Sequence, residues 1–440
     1  MSVIRPAEFA LRRQQLMAQM AANSIAILPA APVSNRNNSV DYPYRPNSDF
    51  YYLSGFDEPE AVLVLIPGRE HGEYILFNRE RHPEKELWDG LRAGQEGAVQ
   101  TFAADDAFPI GDIDDILPGL LEGRDRVYYS VGKNLAFDQQ LMDWVNVIRS
   151  KARLGASPPK EFVMLDHLLH DMRLYKSASE IKQMQLACDI SARAHTRAMQ
   201  NVRAGQYEYQ LEAELDHEFR SSGARFTAYS SIVAGGANAC ILHYTNNDAV
   251  LREGDLVLID AGCEINCYAS DITRTFPVSG RFSPEQRALY EIVLEANMAA
   301  IACVQPGRHW NEPHETSVRV ITEGLVRLGL LQGEVDDLIA AEAYRPFYMH
   351  RAGHWLGLDV HDVGDYKVGG QWRVLEPGMC LTIEPGIYVA KDNLAVAEKW
   401  RGIGIRIEDN VVVTQHGHTI LTHGVPKTVA EIEALMAASH

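Results

Sequence analysis

The C-terminal part of the sequence contains the same order of predicted elements twice, and this recurrence restricts the possible folds most strongly. Ser177 to Glu180 and Ser283 to Gln286 both have the spacing of a capping box, which satisfies backbone groups at the start of a helix. An apolar stripe with alternating three- and four-residue spacing follows each box. A second helical segment and then apolar β-type runs complete each copy. The sequence therefore predicts two pseudo-symmetric helix–helix–sheet halves, and a site at their junction would draw residues from both.

The N-terminal part of the sequence has a different pattern. Short β-type runs, among them 24–28, 61–66 and 74–77, alternate with helical segments and turn signals. The segment 155–159 reads Gly-Ala-Ser-Pro-Pro, a composition typical of a linker. We therefore expect an α+β chain, with a mixed α/β accessory domain over residues 1–174 and a second domain over residues 175–440.

The net charge and the cysteines restrict the partners and the compartment. The chain has 59 acidic and 41 basic residues and a formal charge of −18, so we expect neither nucleic acid nor an anionic membrane as a partner. The sequence contains neither an apolar run long enough to span a membrane nor the apolar core of a signal peptide. The six cysteines are scattered without a CxxC pair, which favours free thiols over a structural zinc site. The expected location is the cytoplasm.

Two aspartates stand at the ends of strand-like segments. Asp260 ends the apolar run 256–259, and Asp271 follows after ten intervening residues. An unpaired carboxylate in such a place costs several kcal/mol. A hairpin of this length would set the two carboxylates side by side, where they repel each other unless a cation lies between them. The alternative is a solvent-facing hairpin with incidental acids, which the apolar flanks disfavour.

Histidines cluster in a second segment. His350, His354 and His361 lie within twelve residues and are interleaved with apolar residues and glycines. This pattern indicates metal ligation or proton handling. The helical motif H-E-x-x-H is missing, so a mononuclear zinc protease of that type is not expected.

Two glutamates complete the set of candidate residues. Glu384 ends an apolar run at a Pro-Gly turn. In the predicted strand 403–413, Arg406 and Glu408 share one face, and isoleucines occupy the other. The pair is either a surface ion pair or a metal ligand with a cation that orients the site.

The combined residue types indicate a site for two metal ions. Its candidate ligands are Asp260, Asp271, His354, Glu384 and Glu408. Four carboxylates and one imidazole supply more oxygen than one zinc ion needs, and such sets suit manganese or a similar divalent ion. Their number suits two ions ~3.5–4 Å apart that share bridging carboxylates. A water between two such ions loses a proton near neutral pH and becomes a nucleophile, so we expect metal-assisted hydrolysis.

The order and spacing of these five residues resemble the dinuclear metallopeptidases of the pita-bread fold. Segments 241–244, 271–276, 354–362 and 402–408 are most similar to the members of that family that act next to proline. Segments 42–50 and 55–60 resemble the accessory domain of the bacterial members. The resemblance covers nearly the whole chain and implies a C-terminal pita-bread catalytic domain. Directly after His350, many relatives have a small residue, whereas this chain has Arg351.

The resemblance implies an Xaa-Pro aminopeptidase, which hydrolyses peptides with proline in the second position. Asp260 would hold one ion and His354 the other, while Asp271 and Glu408 would bridge them. Glu384 would be both a ligand and the acceptor of the proton of the attacking hydroxide. Manganese is the expected metal, with cobalt and zinc as alternatives.

The resemblance also implies roles in substrate binding. His243 and His361 would bind or polarise the scissile carbonyl and the proline residue, and His350 would line the pocket. Arg406 would orient the ligands from behind. Trp88 would reach the active site of a neighbouring subunit in a homo-oligomer, a dimer or tetramer, although a core or interface residue is an equal alternative.

Other functions remain open at this point. Prolidase, which is restricted to Xaa-Pro dipeptides, is the closest alternative, and methionine aminopeptidases typically lack such an N-terminal domain. A non-catalytic peptide-binding protein and a metal-independent creatine-hydrolysing enzyme share the fold. Those two relatives are disfavoured because this chain keeps all five ligand positions.

Overall fold

The computed structural model describes residues 4–438, whose contacts divide them into two compact units, residues 4–173 and 174–438. That residues 1–174 and residues 175–440 fold as independent domains stays a prediction. Among the described residues, no helix is both long and apolar enough to cross a membrane.

The N-terminal unit is built on one mixed six-stranded sheet. Its helices are α1 (Pro6–Gln19), α2 (Ser48–Ser54), α3 (Pro83–Asp89), α4 (Gly94–Gln100), α5 (Ile113–Leu121), α6 (Leu135–Ser150) and α7 (Asp166–Leu174). Its strands are β1 (Ser24–Pro29), β2 (Asn35–Asn37), β3 (Val40–Asp41), β4 (Val62–Leu65), β5 (Tyr74–Asn78), β6 (Asp106–Pro109), β7 (Arg126–Tyr128) and β8 (Glu161–Val163). The sheet order is β6-β5-β4-β1-β7-β8, with antiparallel pairs around β4 and parallel pairs elsewhere. This confirms the mixed α/β prediction.

The C-terminal unit contains the two expected halves. Its helices are α8 (Ala178–Asn201), α9 (Glu208–Ser221), α10 (Pro284–Ala302), α11 (Glu312–Arg327), α12 (Val335–Ala340) and α13 (Val429–Ala437). Its strands are β9 (Phe226–Thr227), β10 (Ile232–Gly235), β11 (Leu256–Asp260), β12 (Cys263–Ile265), β13 (Tyr268–Ala269), β14 (Thr273–Pro277), β15 (Lys367–Val368), β16 (Gln371–Trp372), β17 (Cys380–Ile383), β18 (Gly386–Val389), β19 (Ile403–Arg406), β20 (Asp409–Thr414) and β21 (Gly417–Ile420).

Each half places two helices before an antiparallel sheet. Helices α8 and α9 precede the sheet β10-β11-β14, and helices α10 and α11 precede the sheet β17-β20-β21 and the pair β18-β19. Ser177 and Ser283 cap α8 and α10 through complete capping boxes with Glu180 and Gln286. The predicted α+β class with two helix–helix–sheet halves is therefore confirmed.

The single strand predicted over 403–413 is wrong in one respect. The chain forms two strands, β19 and β20, with Ile407 and Glu408 between them. Strand β19 pairs with β18, whereas β20 pairs with β17. At the change of partner, the Glu408 N–H donates to the Thr273 carbonyl, 3.0 Å away, in the first half. This interruption places the Glu408 side chain between the two halves.

Candidate active site

The five predicted metal ligands line one cavity of about 980 Å³ in the C-terminal unit. Asp260 ends β11, Asp271 stands just before β14, His354 lies in the loop before β15, Glu384 follows β17, and Glu408 lies between β19 and β20. The first half thus supplies the aspartates, and the second half supplies the glutamates. The junction of the two halves is the place where all five side chains meet.

The two aspartates lie within reach of one hydroxyl group. Asp260 pairs with Thr273 across β11 and β14, and the β12–β13 hairpin fills the chain between the strands. The Tyr229 hydroxyl lies 2.7 Å from Asp260 Oδ1 and 2.5 Å from Asp271 Oδ1. One hydroxyl has a single proton to donate, so two ionised carboxylates at this spacing need further positive charge.

His354 presents a lone pair to these carboxylates. Its Nδ1–H donates to its neighbour's carbonyl, Trp355 O, over 2.9 Å, so in the neutral ring Nε2 is an acceptor. Nε2 lies 3.3 Å from Asp271 Oδ2 and 3.7 Å from Glu384 Oε1. Ligand atoms of Asp271, His354 and Glu408 all lie within 4.8 Å of one another. Acceptors that face each other in this way form a donor set for a cation.

The carboxylates of the site resist ionisation in the metal-free chain. Burial and the charge of Glu408 raise the pKa of Glu384 to about 8. Burial and the neighbouring aspartates raise the pKa of Glu408 well above its usual range. Burial and Asp260 do the same to the pKa of Asp271. Divalent cations are the groups that allow such a set to ionise together, so these residues fit the metal centre that the sequence predicts.

Arg406 is bound to Asp260 inside the protein. Arg406 is 3% exposed and Glu408 2%, which rules out a surface ion pair. Arg406 Nη2 lies 2.6 Å from Asp260 Oδ2, whereas Glu408 accepts a hydrogen bond from the Thr273 hydroxyl at 2.7 Å. Although burial raises the pKa of Asp260, Arg406 and the hydrogen bond from Tyr229 lower it overall. Asp260 is thus the one aspartate of the pair that is held ionised by the protein itself.

The remaining histidines line the same cavity. The ring of His361 lies 4.3 Å from that of His354, and burial and this neighbour lower the pKa of His361. His350 donates from Nδ1 to Arg351 O at 2.8 Å, so its Nε2 accepts from the Tyr388 hydroxyl at 2.8 Å. Burial and Arg406 lower the pKa of His350 to about 4. These rings are therefore neutral near pH 7.

Two residues predicted for substrate binding lie at exposed positions. His243 is exposed and lines the same cavity. Trp88 lies in α3 of the N-terminal unit and is 86% exposed, so it is not a core residue. Its role beside a neighbouring subunit stays a prediction.

Two buried asparagines hold the backbone of the ligands and were not predicted. Asn410 accepts from Asp271 N at 3.0 Å and donates to Asp271 O, while Asn297 donates to the carbonyls of Ile383 at 3.1 Å and Ile407 at 3.3 Å. Ile383 and Ile407 directly precede Glu384 and Glu408. Both asparagines are fully buried. No local pattern reveals them, because their partners lie 86 to 139 residues away in the chain.

A second cluster of acids and histidine lies in the N-terminal unit and has its own cations. Asp49, Asp166 and His170 have the spacing of a metal site. Lys133 Nζ lies 2.8 Å from Asp166 and 3.5 Å from Asp49, and Arg173 lies 2.7 Å from Asp49. Although burial raises the pKa of Asp49, the hydrogen bond from His170 and the charges of Arg173 and Lys133 lower it well below its usual range. Protein cations therefore neutralise this cluster.

Comparisons with known proteins agree over both parts of the chain. Residues 182–415 match the model of metallopeptidase family M24, and residues 9–128 match the aminopeptidase P N-terminal domain. The Xaa-Pro aminopeptidase of Escherichia coli (strain K12) is 48% identical over 440 residues, which cover 100% of this chain and 99% of that protein.

Solved structures extend this agreement to the fold. Aminopeptidase PepP of Pseudomonas aeruginosa is 71% identical, with a TM-score of 0.99 over 100% of this chain and 99% of that chain. Zinc-substituted E. coli aminopeptidase P in complex with product has a TM-score of 0.97 at 48% identity and covers 100% of both chains. This chain therefore belongs to metallopeptidase family M24 and carries an N-terminal domain of the aminopeptidase P type.

Proposed function

We propose that this chain is an Xaa-Pro aminopeptidase, a metal-dependent hydrolase that removes the N-terminal residue preceding proline from peptides. The observation that carries this proposal is the convergence of Asp271, His354, Glu384 and Glu408 on one cavity, where, within residues 4–438, none of the three carboxylates forms an ion pair with a lysine or arginine. Full-length identity of 48% to a protein named Xaa-Pro aminopeptidase supports the reaction.

The proposed cofactor is a pair of divalent ions. Asp260 would hold one ion and His354 the other, with Asp271 and Glu408 shared and Glu384 as a further ligand. Manganese is proposed because four of the five donors are carboxylates, and cobalt and zinc are the alternatives. When bound, such ions lower the pKa of a coordinated water and polarise the scissile carbonyl.

The chain's own residues would orient the peptide and move the proton. Glu384 is proposed to accept the proton of the attacking water and pass it to the leaving amine of proline. The rings of His361 and His243 would each donate one N–H, to the scissile carbonyl and to the proline residue. Arg406 would hold Asp260 ionised and fixed in place. Because the Xaa-Pro amide lacks an N–H, specificity has to come from a pocket that fits the proline ring and the trans bond.

Location and assembly belong to the same proposal. Cytoplasmic location is supported by six free cysteines, which suit a reducing compartment. A dimer or tetramer is supported by an exposed apolar group in the N-terminal unit, since Leu87, Trp88 and Leu91 are each more than 80% exposed. In such an oligomer Trp88 would reach a neighbouring subunit's site. Nucleic acid and membranes are not proposed as partners, given the charge of −18.

A comparison of three peptides tests the proposed function. We expect the manganese-loaded protein to hydrolyse Ala-Pro-Pro, releasing alanine, with kcat/KM at least ~10-fold above that for the dipeptide Ala-Pro and for the control Ala-Ala-Pro. The dipeptide lacks the third residue that the large cavity accommodates, and the control lacks a proline after the cleaved bond. A clear preference for the dipeptide would identify a prolidase instead, and binding of all three peptides without turnover would identify a non-catalytic protein.

A further inference from the structure

One part of the cavity carries two cations instead of carboxylates. Arg351, Lys367 and Trp372 line it together. The Arg351 guanidinium carbon lies 4.9 Å from the centre of the Trp372 ring, and Lys367 Nζ lies 4.3 Å from it. Lys367 and Trp372 are also paired across β15 and β16, so the strand register fixes this contact. We call Arg351, Lys367 and Trp372 the cationic rim.

The charges of the cationic rim are not neutralised by carboxylates of the protein. Within residues 4–438, neither Arg351 nor Lys367 forms an ion pair, whereas Arg406, the third cation of the cavity, is bound to Asp260. Arg351 donates to the side-chain oxygen of Asn311, an uncharged partner that in turn donates to Glu315. Two positive groups thus face the cavity without a direct ion pair, and Glu315 acts on Arg351 through its charge and through Asn311.

The cavity therefore has opposite charges in its two parts, and a short peptide has opposite charges at its two ends. In the proposed function, the scissile bond and the free amino terminus lie at the carboxylate-lined metal centre. The rest of the peptide then extends away from that centre. Guanidinium and ammonium groups bind a carboxylate through short, charge-assisted hydrogen bonds, and the Trp372 ring shields one side of them from water.

We propose that Arg351 and Lys367 form a subsite for a carboxylate on the downstream part of the substrate. This inference rests on the proposed function and refines it, because it makes short peptides with a free C-terminus, or peptides with an acidic downstream side chain, the preferred substrates. Since this interaction is made before and during the reaction alike, it lowers KM and leaves kcat nearly unchanged.

The test compares peptide acids with peptide amides at three lengths. The peptides are Ala-Pro-Ala and its extensions by one and by two alanines. For at least one of them, we expect kcat/KM of the acid to be about 10-fold above that of the matching C-terminal amide, because the KM of the acid is lower. An amide with glutamate in a downstream position, compared with the glutamine version, distinguishes a side-chain carboxylate from the C-terminal one. In Arg351→Gln the acid-to-amide ratio should fall to about 2 or less, and high salt should lower the wild-type ratio.

Lys399 provides a matched control. Its Nζ lies 4.9 Å from the ring of Trp400, but neither residue lines the cavity, so Lys399→Gln should keep the wild-type ratio. Equal kcat/KM for acid and amide at every length, together with no preference for glutamate, would overturn the subsite, as would an unchanged ratio in Arg351→Gln. Calorimetric binding of the product Pro-Ala and of its amide to the metal-loaded protein gives a readout without turnover. A preference in binding without any hydrolysis would support the subsite and count against the proposed function alone.

Discussion

Replacing Glu408 by glutamine is expected to lower kcat/KM on an Xaa-Pro-Xaa peptide by more than ~100-fold while the fold survives. Glutamine keeps the size of the side chain and can still accept the hydrogen bond from Thr273, but it loses the negative charge that the proposed bridging role needs. Glu408 is fully enclosed between the halves, and burial already disfavours its ionised form in the metal-free chain. A neutral amide should therefore leave the metal-free fold at least as stable.

Three measurements on the Glu408→Gln protein check this prediction. Steady-state hydrolysis with added manganese gives the loss of activity, calorimetric titration gives the loss of metal affinity, and circular dichroism during heating gives the stability. Glu253→Gln, a change at an exposed glutamate outside the cavity, is the control and should behave like wild type. Wild-type turnover in Glu408→Gln would remove Glu408 from the proposed centre.

The second large effect is a loss of stability of the metal-free protein as the pH rises above 6.5. The pKa of Glu384 is raised to about 8 in the folded chain, so the folded state binds its proton more tightly than the unfolded state does. This proton makes its full contribution to the free energy of unfolding below the ordinary pKa of glutamate. The contribution is lost as the pH rises to about 8. Between pH 6.5 and 8, Glu384 alone would cost about 2 kcal/mol. Buried His195, His314 and His350 have pKa values lowered to about 4, and the unfolded chain still binds part of a proton at each of them near pH 6.5, which offsets part of this cost. The raised pKa values of Glu408 and Asp271 act in the same direction as that of Glu384.

Thermal unfolding in excess chelator, measured between pH 6.5 and 8, tests this expectation. The melting temperature should fall across the window, and it should fall less in Glu408→Gln, because the charge of Glu408 is the largest cause after burial of the raised pKa of Glu384. Saturation with manganese should reverse the trend, since ligands bind metal as they ionise. If the melting temperature of the metal-free protein rises with pH instead, the proposal that the buried carboxylates of the site repel one another is wrong.

The fold could be predicted where its signals are local. The capping boxes at Ser177 and Ser283 and the stripes that follow them depend on residues three or four positions apart, so the two halves are visible in the sequence. The break between β19 and β20 is not visible. It depends on the hydrogen bond of Glu408 N–H to Thr273, a residue 135 positions earlier in the chain, and on the exchange of one strand partner for another.

Some residues of the candidate site could likewise be predicted from the sequence, and others could not. A buried charge has to have a partner, so carboxylates at the ends of apolar runs indicate a site, and Asp260, Asp271, Glu384 and Glu408 could be predicted without the fold. Tyr229, Asn297 and Asn410 could not be found, since polar residues of these types occur everywhere in a chain. Their importance comes from tertiary contacts with the ligand carboxylates or with the backbone beside them.

If two divalent ions held by this chain are required for turnover of Xaa-Pro peptides, the activity of the metal-free protein should return as metal is added. Manganese is added in steps, and the bound metal per chain is measured together with the rate of Ala-Pro-Pro hydrolysis. We predict background activity in the metal-free protein and full activity when two ions per chain are bound. Full hydrolysis of Ala-Pro-Pro by protein that holds no metal would show that the chain does not need the ions for catalysis.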